Sequence, residues 1–145
     1  MESFARNSLK NKKFIIFGGG FSGQFIANQI RCLGCEAITS SRRINNNEKS
    51  FVFDSLSNEL PPEQIFDGTT HVLSCIPPEK SGEDPVLLRL HKKLKSLDLE
   101  WVGYLSTTGV YGNTFGSWVT ESDPTKPLQD RSKRRLLCEK SWLDS

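Results

Sequence analysis

The sequence has no run of about 18 apolar residues, the length a helical membrane span needs, so no membrane-embedded part is expected. Its opening, MESFARNSLKNKK, lacks the apolar stretch of a secretory signal. With Arg, Lys, Ser and a single acid it leaves organelle import open, and residues 1–11 are expected to form a short flexible lead-in. Cysteine is sparse at four, and Cys32 and Cys35 make one lone C-x-x-C. A structural zinc site wants a second such pair, and a redox dithiol wants a helix N-terminus, whereas this one falls at an expected helix end. No metal is expected, and the thiols read as reduced in a cytoplasmic compartment. The two histidines, His71 and His91, have no partner motif. The net charge of +2 speaks against broad nucleic-acid binding.

What is present is ordinary for one globular domain: 145 residues, 36% apolar and 25% charged. FIIF (14–17) suits a strand buried on both faces. Ile26, Ile30 and Leu33 make a helical stripe over 22–33 that Gly34 stops. EAITS (36–40), FVF (51–53), HVLSCI (71–76) and WVGYLST (101–107) read as further strands, with the polar loop RRINNNEK between the first two of them. Asp84 and Pro85 cap a helix whose buried stripe is Leu87, Leu90, Leu94 and Leu97. A last helix is expected over roughly 130–143. Strand and helix in turn predict an α/β doubly wound parallel sheet over 12–145.

Gly18-x-Gly20-x-x-Gly23 ends the first strand and opens the first helix. In that context the first glycine allows the tight turn, the second lets a pyrophosphate approach the backbone, and the third brings helix and strand together. The helix start, with Phe21 and Ser22, turns free N–H groups toward the phosphates. These features predict a nicotinamide dinucleotide site on a Rossmann sheet, with flavin or methyl-donor binding as the alternatives.

An NAD site usually has an acid at the end of the second strand. Here Thr39-Ser40-Ser41-Arg42-Arg43 has none. Ser41, Arg42 and Arg43 suit a 2′-phosphate, so NADP is preferred and NAD stays open; the alternative is a pair of solvated loop arginines. Asp54, after the third strand, is placed to accept from the adenine amino group or simply to make a turn.

From residue 12 onward the chain resembles the extended short-chain dehydrogenase/reductase superfamily, of the NAD(P)-binding epimerase/dehydratase type. The glycine motif and YLSTTGVYGNTFGSWVTESDPTKP (104–127) carry the resemblance. It implies that Thr107 orients a substrate oxygen and that SCIPP (74–78), with Ser74 and Cys75, lies against the cofactor's ribose and nicotinamide. It also implies hydride-transfer oxidoreductase or epimerase chemistry on a nucleotide sugar or carbonyl compound, and a homodimer paired through helices near the motif.

Two departures accompany it. Where the family has Tyr-x-x-x-Lys, this chain reads Asp130-Arg131-Ser132-Lys133-Arg134-Arg135, so Arg131 and Arg135 hold the two places. Arginine stays protonated and is a poor general base; the pair suits anion and ribose binding instead. The chain also stops before the family's last strands and substrate domain, and so is expected to be incomplete at its C-terminus. The competing expectations are therefore an atypical enzyme, a non-catalytic nucleotide-binding or sensing module, and an inactive fragment.

Overall fold

The computed structural model describes residues 11–43 and 49–145. Residues 1–10 of the expected lead-in and the Asn45–Asn47 tract lie outside the described residues. Five strands form one parallel sheet: β1 (Lys13–Phe17), β2 (Glu36–Ser41), β3 (Ser50–Val52), β4 (His71–Ser74) and β5 (Trp101–Tyr104), in the order β3-β2-β1-β4-β5. The helices are α1 (Phe21–Cys32), α2 (Pro85–Lys95) and α3 (Asp130–Leu143). Two short 3₁₀ turns, Glu63–Phe66 and Thr108–Tyr111, have no clear periodic signal and were not expected from the sequence.

β1 lies at the centre, and its apolar run feeds both faces. Ile15 and Phe17 pack with Val86, Leu90 and Leu94 of α2 and Trp142 of α3. Phe14 and Ile16 pack on the other side with Ala27, Ala37 and Leu73, under Ile26 and Ile30 of α1. The sheet is thus covered on both faces, which is why FIIF shows no polar alternation. Burying each of these large side chains contributes roughly 1.5–3 kcal/mol.

The ends of α1 follow from its glycines. Gly34 has φ +84°, its N–H donates to Arg31 O (2.9 Å), and the Cys35 N–H donates to Ile30 O (3.3 Å), a left-handed helix stop. Leu33, expected in the buried stripe, is 42% exposed. The contact face of α1 is carried by the buried Gly23 and Ala27 with Ile26 and Ile30, and Leu33 is the C-cap beyond it.

α2 begins as its sequence demands. Asp84 Oδ1 accepts from the Val86 and Leu87 N–H groups, both at 2.9 Å, with Pro85 at the first helical position. Asp84 Oδ2 accepts from Trp142 Nε1 at 2.9 Å, tying the start of α2 to the end of α3. Leu90 and Leu94 are buried and Leu87 and Leu97 pack against the same cluster.

β4 and β5 end earlier than their apolar runs suggest. Cys75 N–H still donates to Phe17 O (2.7 Å) and Leu105 N–H to Ser74 O (2.8 Å). Beyond these bonds the chain leaves the sheet as loops over its C-terminal edge. The strand order reverses between β1 and β4, so these loops part there, which is where open α/β sheets bind ligands.

Candidate dinucleotide cleft

The glycine turn leads straight from β1 into α1. Gly18 has φ +97°, and a Cβ there would stand 3.2 Å from the Cys75 carbonyl carbon. Its N–H donates to Ser40 Oγ, and the Gly19 N–H donates to Ser40 O, both at 2.7 Å. The turn is thereby pinned to the end of β2. A Cβ on Gly23 would lie 2.0 Å from Gly18 O, so no other residue fits without opening the turn. Gly20 differs: a Cβ there would meet nothing within 4 Å. It is the N-cap of α1, with no side-chain cap. The first-turn N–H groups therefore face open space at the positive end of the helix.

That space is a cleft of about 840 Å³ across the switch point. Gly18, Gly20, Phe21, Ser22 and Gly23 form one end, with Ser41 and Arg42 from the end of β2 beside them. Cys75 and the Pro77-Pro78 pair line it from the loop after β4, and Thr107 and Arg135 close the far end. The donor set matches a dinucleotide: backbone N–H groups for linked phosphates at one end, hydroxyl and guanidinium groups at the other.

Four expected residues stand elsewhere. Arg43 is exposed and outside the lining, and its carbonyl accepts from Ser41 Oγ at 2.6 Å. Asp54 lines the adjoining hollow outside β3, where its Oδ1 accepts from the Leu56 N–H (3.1 Å), an Asx turn. Ser74 is fully buried and its Oγ has no hydrogen-bond partner; as the last residue of a strand paired on both sides, it cannot reach the cleft surface. Arg131 lies on the next groove along, past Thr107.

The structure adds residues that sequence reasoning missed. Ser40 and Gly19 make the turn's hydrogen bonds, a role hinted at only by the run of three glycines. Ser55 Oγ donates to Glu79 Oε1 at 2.5 Å, and both line the cleft, whose described lining contains no other carboxylate. No local motif announces this contact, since 24 residues separate the two.

At the far end, Arg135 Nη1 donates to Leu105 O at 2.7 Å, and its guanidinium lies 5.6 Å from the Tyr104 ring centre. Tyr104 also stacks on Trp142, with centroids 6.2 Å apart. Burial holds its phenol well above the ordinary value despite the nearby Arg135 charge, so Tyr104 does not act as an ionisable phenol near neutral pH. Burial likewise raises the Cys75 thiol, which stays protonated there. Thr107 Oγ1 accepts from the Gly109 N–H at 3.3 Å, leaving its own proton free to donate.

No family model matches the sequence, and no curated protein matches it. Solved structures do. A functionally unknown conserved protein from Silicibacter pomeroyi is 32% identical, with a TM-score of 0.75, over 90% of this chain and 47% of its own. UDP-N-acetylglucosamine 4-epimerase from Bacillus cereus is 19% identical, with a TM-score of 0.73, over 91% of this chain and 48% of its own. A short-chain dehydrogenase/reductase superfamily protein from Agrobacterium tumefaciens, solved with bound NAD, is 16% identical, with a TM-score of 0.66, over 88% and 43%. The chain spans about half the length of the solved proteins it matches. Among the described residues no helix is long and apolar enough to cross a membrane. Its sheet order, its glycine turn and these neighbours together give the chain the Rossmann fold found in short-chain dehydrogenase/reductase and nucleotide-sugar epimerase proteins.

Proposed function

We propose that the cleft binds a nicotinamide dinucleotide, with the pyrophosphate over Gly20 and the uncapped start of α1. The observation that carries this reading is the open space at Gly20, beside two glycines that each admit no Cβ without a shift. Gly18, Phe21, Ser22 and Gly23 would complete the phosphate cradle, and Cys75 would flank the ribose and nicotinamide. Arg42, beside Ser41, would grip a 2′-phosphate, which supports NADP over NAD. Once bound, such a cofactor supplies hydride transfer.

The chain's own residues would do the rest. Thr107 donates a hydrogen bond to a substrate oxygen, and Arg135, fixed by Leu105 O, holds a negatively charged group at that end. Neither removes a proton, since a threonine hydroxyl and a guanidinium are both poor bases at neutral pH. The whole protein, as an oxidoreductase or epimerase acting on a nucleotide sugar or carbonyl compound, would need its proton relay from elsewhere. We place it in the cytoplasm, as a homodimer paired through α3, where Leu137 and Leu143 are 57% and 80% exposed.

A second reading is a nucleotide-binding or sensing module without turnover, favoured by arginine at both relay places. Fluorescence titration with NADH and NADPH tests the first reading. NADPH is expected to bind at least about tenfold more tightly, with Arg42→Ala abolishing the difference. Absence of binding by either dinucleotide would sink the cofactor assignment. Saturable binding without turnover across sugar and carbonyl substrates would select the second reading.

A further inference from the structure

Past Thr107 the cleft continues into a groove that the dinucleotide reading leaves unused. It consists of two hollows of about 390 and 400 Å³ that share Thr107, Arg131 and Ser132. Arg134 and Arg135 line the first, opposite Pro77 and Pro78; Gly109 and Gln129 line the second.

Three properties of this groove point the same way. Its lining is cationic: three arginines line it, and no Asp or Glu appears in either lining. Among the described residues Arg131 and Arg134 have no hydrogen-bond or ion-pair partner, while the nearest acid in sequence, Asp130, is taken by Lys133 Nζ at 3.3 Å. Ser132 is 4% exposed, lines both hollows, and its hydroxyl has no hydrogen-bond partner among the described residues. That hydroxyl reaches toward Gly109, where an added Cβ would stand 2.5 Å from the Oγ. Finally, α3 starts here, with Gln129 as N-cap and no side-chain cap. Helix start, guanidinium groups and a groove-lining hydroxyl converge on one groove.

Such convergence is costly unless something balances it. Like charges along one helix face repel, and cations at a helix start oppose its dipole. A bound oxyanion would relieve both and would accept from Ser132 Oγ and the guanidinium groups. We propose that this groove binds the carboxylate or phosphate group of an acidic substrate, held by Arg131, Arg134 and Ser132. Thr107 and Arg135 line both the groove and the cleft, so an acid seated there points its remaining atoms at the cleft's far end. That the anion belongs to a substrate rests on the dinucleotide reading; that the groove takes an oxyanion does not.

Amide NMR titration of the full chain with inorganic phosphate, and separately with acetate, tests this. Saturable shifts are expected at Thr107 and residues 131–135, and the tighter of the two ions tells phosphate from carboxylate. Arg131→Gln with Arg134→Gln should weaken binding there by about tenfold or more. The Lys/Lys pair, which keeps the charge, should stay within about threefold of the native chain. If the double glutamine variant loses its native spectrum, Arg131→Gln alone should still weaken binding by about threefold. No shifts, shifts confined to residues 18–23, or unchanged affinity in the glutamine variants would each overturn the proposal. Shifts at 131–135 without NADH binding would uphold it while refuting the cofactor reading.

Discussion

The two ends of the cleft are built from different materials. At the glycine end the wall is backbone: N–H groups at the start of α1, with side chains absent where they would obstruct. At the α3 end the wall is side chain: Thr107 and Arg135, with Arg131 and Arg134 in the groove beyond. A backbone site constrains residue identity through sterics, so it leaves a readable pattern of glycines. A side-chain site can keep its scaffold while its chemistry changes, and here two arginines stand where the resembling family has tyrosine and lysine. The scaffold is therefore a poor guide to the reaction.

The largest effect expected from disturbing this contrast is at Gly23. Gly23→Val puts a side chain 2.0 Å or less from Gly18 O and should cost at least about 3 kcal/mol of stability, read by denaturant unfolding. Native-like stability would mean that the turn is not sterically closed. Gly20→Val should separate binding from folding. Its Cβ meets no protein atom, so the melting temperature should hold while dinucleotide affinity falls about 100-fold. Equal affinity would remove the pyrophosphate from this turn.

At the other end, Asp84 sets where α3 sits by accepting from Trp142 and from two N–H groups of α2. Asp84→Ala should cost about 2 kcal/mol. Burial holds this carboxyl above its ordinary value of 3.8, with the hydrogen bonds to Leu87, Trp142 and Val86 and the Arg135 charge opposing. The folded chain then binds the proton more tightly than the unfolded one. The contribution from this titration is complete below the ordinary value and is lost as pH rises through the raised one. Asp84→Asn should accordingly gain stability relative to the native chain as pH rises from below 3.8 through the raised value; a relative loss over that rise would show that the hydrogen bonds outweigh burial.

The smallest signal is a gain. Arg131→Tyr with Arg135→Lys should bring detectable reductase turnover, in stopped assays with carbonyl substrates, if the α3 wall differs from a relay only in those two side chains. Silence from a variant that still binds NADPH would place the missing parts outside this chain.

Much of the frame was legible because it follows from local rules. FIIF, the glycine turn, the Gly34 stop and the Asp84-Pro85 cap each state a backbone conformation within a few residues. The site was legible only where sterics write it. Gly18, Gly20 and Gly23 could be assigned tasks by spacing, whereas Ser74 and Leu33 were misplaced because burial depends on which neighbour arrives from elsewhere. Asp54 and Arg43 lie within a few residues of strand ends that face the cleft, and a turn of the chain at each point sends them elsewhere.

Alone, the sequence determined the alternation of strands and helices, the turn that must be glycine and the arginines at 131 and 135, because each is a matter of local geometry or residue identity. Only the tertiary structure decided that Ser40 fastens the turn, that Glu79 meets Ser55, and that Ser132 sits against Gly109. These are contacts between segments distant in sequence or on separate elements. Packing, which no short-range pattern encodes, brings them together.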